Sequence, residues 1–172
     1  WLVAVPIEAA WTHWSGRVRI SHRSAHLGDE IVAATGAERI EFGGEAIDGL
    51  VAYDVDRFAR FYGGGGWIFH SNTVHTAVLQ RRDTLDRFLV QLGADGQWDV
   101  AAPYFHALAG LDWQAAQRTG WAGALSVAGG IGINIGGRSL DLKLRYFDGP
   151  SAMGQFFVTP ETFWSLELVA VL

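Results

Sequence analysis

The chain has 172 residues, about half of them apolar, no cysteine and a net charge of -5. That length suits one unit spanning 1–172 and leaves little room for a second domain, while the missing cysteines exclude a disulfide scaffold and any thiolate-held metal. Its basic residues are dispersed, so there is no polybasic footprint for nucleic acid.

Period-two alternation predicts nine strands, at about 1–11, 17–25, 45–54, 57–69, 85–93, 98–109, 120–134, 138–147 and 162–172. In the first, Trp1, Val3, Val5, Ile7, Ala9 and Trp11 share a face opposite Glu8 and Thr12. In the fourth, Phe61, Gly63, Gly65, Trp67 and Phe69 oppose Arg60, Tyr62, Gly64 and Gly66. The glycine run there has no following Lys-Ser/Thr and no helix, so it is not a phosphate loop; it lets strands bend or approach closely. In the seventh, Trp121, Leu125, Val127, Ile131, Ile133 and Ile135 oppose small residues such as Ala122, Ala124 and Gly130. In the eighth, Leu140, Leu142, Leu144 and Tyr146 oppose Ser139, Asp141, Lys143 and Arg145, so charge sits on one side only. In the last, Trp164, Leu166, Leu168, Ala170 and Leu172 oppose Ser165 and Glu167.

Connections alternate between short (near 12–16, 54–57, 94–97 and 135–137) and long (near 26–44, 70–84, 110–119 and 148–161). No stretch reaches the roughly 18 uninterrupted apolar residues of a membrane helix, so any spanning structure must use strands. A closed sheet with one face toward lipid and the other toward a wetter lumen meets that need. Short turns on one side and long loops on the other match its periplasmic and extracellular ends. Twelve arginines against the single Lys143 also suit an enclosed face, where guanidinium forks pair with carboxylates such as Glu8, Asp48 and Asp141. The expectation is an all-β transmembrane antiparallel barrel in a bacterial outer membrane. The chain opens at Trp1 already in strand-like alternation, and single-chain bacterial barrels have even counts. Nine strands therefore predict an N-terminally incomplete part of a barrel of about twelve. The competing arrangement is a soluble barrel or sandwich with the apolar face turned inward.

Strand two runs into Ser21-His22-Arg23-Ser24-Ala25-His26-Leu27-Gly28-Asp29-Glu30. This segment resembles the HxSSHLGDE signature of a bacterial family catalogued as a domain of unknown function and predicted to form outer-membrane barrels. Further likeness lies in RIEFGGEAIDGLVAY from Arg39, RFYGGGGWIFHS from Arg60 and FDGPSAMGQFF from Phe147, which is similar to that family's YDGRSPYGQF region. Arg23, Ala25 and Leu172 depart from the family pattern. The resemblance brings no established activity and implies a missing N-terminal portion. The barrel reading gives membrane lipid and lipopolysaccharide as partners and leaves room for other envelope subunits; no cofactor is expected.

His22 and Ser24 share the parity of Val18 and Ile20, which puts two polar side chains on the lipid face, where they need a partner or a purpose. The H-x-S pair resembles that of the outer-membrane lipid A deacylases. By that resemblance Ser24 is a nucleophile, His22 its base and a carboxylate the orienting group. If the connection after strand two folds symmetrically, Glu45 falls roughly opposite Ser24 on the next strand, with Glu41 in reserve. The alternatives are that His22 and Ser24 brace the long loop against Asp29 and Glu30, or that Asp29 and Glu30 beside His26 hold a hard cation. His70, Ser71, Asn72 and His75 show no metal-ligand spacing. The Asp112-Trp113 pair has no repeat to make a propeller of it. Three roles remain open: a structural or envelope-assembly barrel, a serine esterase acting on outer-leaflet lipid, and a small passive pore.

Overall fold

The computed structural model describes residues 1–26, 33–34, 41–56, 58–71, 87–151 and 159–171. Nine strands run β1 (Leu2–Ala10), β2 (Trp14–His26), β3 (Glu41–Val55), β4 (Ala59–Ser71), β5 (Phe88–Ala101), β6 (Phe105–Ala116), β7 (Gly123–Ile135), β8 (Arg138–Pro150) and β9 (Pro160–Val171), with a 3-10 turn at Gln117–Thr119. They form one sheet in the order β1 to β9, each strand antiparallel to the next. No pairing joins β1 to β9 among the described residues, so the sheet is not closed within this chain.

All nine predicted strands are present, and the largest departures from their expected bounds lie around the β5–β6 reversal. The turn predicted at 94–97 does not exist: β5 runs through it to Ala101, and the reversal comes at 102–104. Asp95-Gly96 reads as a turn signal, yet a Cβ on Gly96 would sit 2.4 Å from the Phe58 carbonyl oxygen and 2.8 Å from the Trp98 ring. Glycine is there because the strand is crowded, not because the chain turns. In consequence β6 extends to Ala116, and the long connection predicted at 110–119 shrinks to the 3-10 turn and its flanks. The other predicted long connections fall mostly outside the described residues, as do Asp29, Glu30, Asn72, His75 and Leu172.

Alternation sorts the two faces of the sheet. On one stand Val3, Val5 and Ile7 of β1, Val18 and Ile20 of β2, Ile47 and Val51 of β3, Leu111 of β6 and Ile131 of β7, all exposed. Leu140, Leu142 and Leu144 of β8 join them at 41%, 44% and 50% exposure, as do Trp164, Leu166 and Leu168 of β9 at 65%, 72% and 70%. Ala52 and Ala115 are the only buried apolar residues among those described, whereas Asp48, His106, Asp141 and Ser151 are buried polar ones. Water-soluble domains have the opposite arrangement. Aromatic side chains mark both ends of the apolar face. Trp14, Tyr53, Phe61, Trp98 and Phe105 lie toward the short turns, and Trp67, Phe88, Trp113, Tyr146 and Trp164 toward the long connections.

The opposite face folds around its own polar groups. A cavity of about 710 Å³ takes its walls from β1 through β8, so the sheet curls about this ionic side.

Candidate functional site

On the apolar face, near the long connections, the ladder brings three ionisable side chains into one row. His22 of β2 lies directly opposite Glu45 of β3, and Glu45 opposite His70 of β4. His22 Nδ1 is 2.8 Å from Glu45 Oε1, and His70 Nδ1 holds the other carboxylate oxygen. An ionised carboxylate only accepts, so each imidazole gives it the Nδ1 proton. All three side chains are partly exposed, at 46%, 30% and 57%.

The third member of this row exists because of a bulge. From Gly49 opposite Gly65 the register runs evenly to Ala46 opposite Ile68, which would bring Phe69 to Glu45; the irregularity between Glu45 and Ala46 brings His70 instead. Gly44 allows it, since a Cβ there would lie 2.6 Å from the His70 carbonyl oxygen. Bulges carry no reliable sequence mark, which is why His70 reads as a loop residue in the sequence.

Of the sequence-predicted trio, the structure joins His22 to Glu45, which lies opposite His22 and not opposite Ser24 as a symmetric connection implies. Ser24 stands two residues along β2 on the same face, opposite Gly43, and makes no side-chain bond to His22. Its backbone is engaged in the ladder with β1: the Trp1 backbone nitrogen donates to its carbonyl at 2.6 Å, and its N–H donates to the Trp1 carbonyl at 2.9 Å. Glu41 and His26 occupy β3 and β2, but their side chains lie outside the described set. No cluster of three or more metal-ligating residues occurs among the described residues.

The ionic face carries a second kind of construction, in which a side chain passes over a glycine to reach the strand beyond. Tyr62 of β4 lies opposite Gly93 of β5, which lies opposite Asp112 of β6. The Tyr62 hydroxyl donates to Asp112 Oδ2 at 2.8 Å, across a glycine whose Cβ would fall 2.2 Å from the phenol ring. Gln91 and Gln114 complete the carboxylate at 2.6 and 2.7 Å. The second instance is His106 of β6, Gly132 of β7 and Asp141 of β8, again consecutive in the ladder. His106 is 1% exposed, and its Nε2 meets Asp141 Oδ1 at 3.0 Å. Sequence parity places Asp141 correctly but gives it an arginine partner; the structure gives it a histidine. The missed signal is that His106, Gly132 and Asp141 all have inward parity on successive strands.

Elsewhere on this face Arg19 donates to Asp48 at 2.9 Å with Arg17 at 3.8 Å, as expected. Arg145 is held by both oxygens of Glu167 and donates to Ser126 Oγ at 2.7 Å. Arg60 donates to Ser15 Oγ at 3.0 Å and lies 3.9 Å from Asp54, and Glu8 faces Arg17 across the ladder without an ion pair among the described residues. At the 3-10 turn, burial together with the charge of Arg23 pushes the Arg118 guanidinium down to about 10.

A family model described as "Protein of unknown function (DUF1207)" matches residues 1–168. No curated protein and no solved structure is significantly similar to the chain.

Proposed function

Because the chain belongs to this family of unknown function and inherits no activity from it, we propose from its geometry alone that it is a lipid-embedded portion of an outer-membrane β-barrel. Its primary role in this reading is structural, as an envelope barrel or a subunit of an envelope assembly. The carrying observation is the inverted polarity: large apolar side chains stand exposed on every strand, while Asp48, His106 and Asp141 are the buried groups. In water such a face would drive aggregation; against acyl chains it is satisfied. The strands run from 9 to 15 residues, enough to cross the roughly 25 Å apolar band of such barrels even when strongly tilted. The two aromatic zones stand where girdles at the two interfaces would lie.

These 172 residues contain no cysteine to compete with an introduced one. Nitroxide labels are placed one at a time at residues 139 to 145 of the full protein in lipid vesicles, and collisions with oxygen and with a water-soluble nickel chelate are compared. Oxygen should dominate at 140, 142 and 144, and the chelate at 139, 141, 143 and 145. Chelate access at 142 equal to that at 143 overturns the reading.

One observation favours a second reading, a serine esterase acting on outer-leaflet lipid: His22, held by Glu45 through Nδ1, lies on the face that also carries Ser24. In that reaction Ser24 Oγ attacks an acyl ester carbonyl as its proton passes to His22 Nε2. The proton then goes to the departing alkoxide, and water releases the acid. Fatty acid released from lipopolysaccharide by the intact protein but not by Ser24→Ala supports it. Equal release by both removes it.

A further inference from the structure

Two cavities divide the ionic face. The upper one, of about 710 Å³, reaches the long connections at Ser71, Thr119 and Ser151, and the lower one, of about 450 Å³, reaches the short turns at Asp54, Asp56 and Gln97. Together they run the length of the sheet, as a lumen would. Four residues line both cavities and therefore stand on the partition between them: Tyr62, Asp112, Ser126 and Arg145.

These four belong to one continuous row across β4 to β9. The Tyr62 ring passes from β4 over Gly93 of β5, and its hydroxyl donates to Asp112 of β6 at 2.8 Å. Asp112 lies directly opposite Ser126 of β7, a pairing that sets Cβ atoms roughly 4.5–5.5 Å apart on one face. Arg145 of β8 donates to Ser126 Oγ at 2.7 Å and reaches both oxygens of Glu167 on β9. The row is saturated within itself. Gln91 and Gln114 give Asp112 two further donors, at 2.6 and 2.7 Å, and Arg145 occupies the Glu167 carboxylate with two nitrogens. A guanidinium held through two bonds to one carboxylate has a fixed orientation, which a lone charge on a long side chain lacks. The two bulkiest members, a phenol and a guanidinium, are thus anchored at both ends, by their strands and by their bonds. A hydrated ion moving from one cavity to the other has to displace them.

We propose that this row is a plug: in the barrel proposed above, on which the inference rests, it parts the lumen into an upper and a lower chamber and keeps the protein from conducting ions. The full protein in planar bilayers should stay at baseline conductance. Tyr62→Ala combined with Arg145→Ala removes both bulky members and should give discrete conductance steps, whereas Leu89→Ala, which widens the upper chamber alone, should stay at baseline. A second measurement leaves the row intact. Ala124 and Ala128 flank Ser126 on β7, the first lining the upper cavity and the second the lower. With Ala124→Cys or Ala128→Cys, the full protein in sealed vesicles meets a charged, membrane-impermeant thiol reagent from outside, and modification is read from the mass of the peptide that carries the residue. Each chamber opens to one side only, so the modified fractions at 124 and 128 should be complementary and add up to the whole, whatever the orientation of insertion. Conduction by the unaltered protein or by Leu89→Ala, silence of a double variant that still shows the alternating label pattern at 139 to 145, or any non-complementary modification overturns the proposal. If the double variant does not insert, the thiol labelling decides alone. Failure of the barrel itself shows differently, as equal chelate access at 142 and 143, and takes the plug with it.

Discussion

Replacing Gly132 with alanine should destabilise the protein, although the same change in an ordinary strand stabilises it by relieving glycine's entropy loss, about 0.5–1 kcal/mol. The new methyl carbon would stand 2.2 Å from His106 Nε2, 2.5 Å from its Cε1 and 2.4 Å from Asp141 Oδ1. All three distances are below contact, so the imidazole must swing away and the 3.0 Å bond to Asp141 must break. Both partners are buried, so water does not replace the bond. A hydrogen bond to a charged group contributes about 1.5–3 kcal/mol, and the stranded carboxylate adds its own desolvation cost; the net loss should be about 3 kcal/mol. Gly129→Ala is the internal control, since its methyl would meet only the Leu108 carbonyl oxygen at 3.9 Å and should be neutral or slightly stabilising. Urea unfolding in lipid vesicles, followed by tryptophan fluorescence, compares the two. In a His106→Ala background the Gly132→Ala penalty should largely disappear, giving a strong coupling in the double-mutant cycle. Equal stabilities for Gly132→Ala and Gly129→Ala would refute the reasoning.

The same unfolding assay should show Tyr62→Phe losing about 1–2 kcal/mol, because Asp112 keeps Gln91 and Gln114 but loses the phenol. Gly93→Ala should cost more than Tyr62→Phe, since it displaces the whole ring rather than one hydroxyl. If the apolar face meets lipid, Leu142→Arg should cost about 2–4 kcal/mol in vesicles, and an equally tolerated Leu142→Arg and Lys143→Arg would count against it. Glu45→Gln should release both imidazoles from their fixed orientation, seen as sharpened exchange and altered shifts of the His22 and His70 ring protons by NMR; unchanged spectra would show that the carboxylate does not hold them.

Period two is the reason so much of the sheet was legible. Along β8 and β9 each residue either belongs with Leu142 or with Lys143, and the structure keeps that division without exception at residues 139 to 145. The same count carried across the long connection put Glu45 on the correct face but opposite Ser24, two residues from its observed partner His22, because a symmetric connection does not fix register. Register defects were not legible, because a bulge is decided by how neighbouring strands pack: nothing around Glu45 and Ala46 signals that His70 replaces Phe69. The β5–β6 reversal failed for a related cause. Glycine serves both turns and crowded strands, and Asp95-Gly96 was the second kind. His106 went unseen since its two partners come from different strands, and only the finished ladder brings them over one another.

The side chains that step over Gly93 and Gly132 have a consequence for how the sheet comes apart. In a meander every strand is bonded only to its sequence neighbours, so a hairpin could open without disturbing the next. Tyr62 fastens β4 to β6, and His106 fastens β6 to β8. With β6 common to both, the run from β4 to β8 should exchange its amide hydrogens as one block.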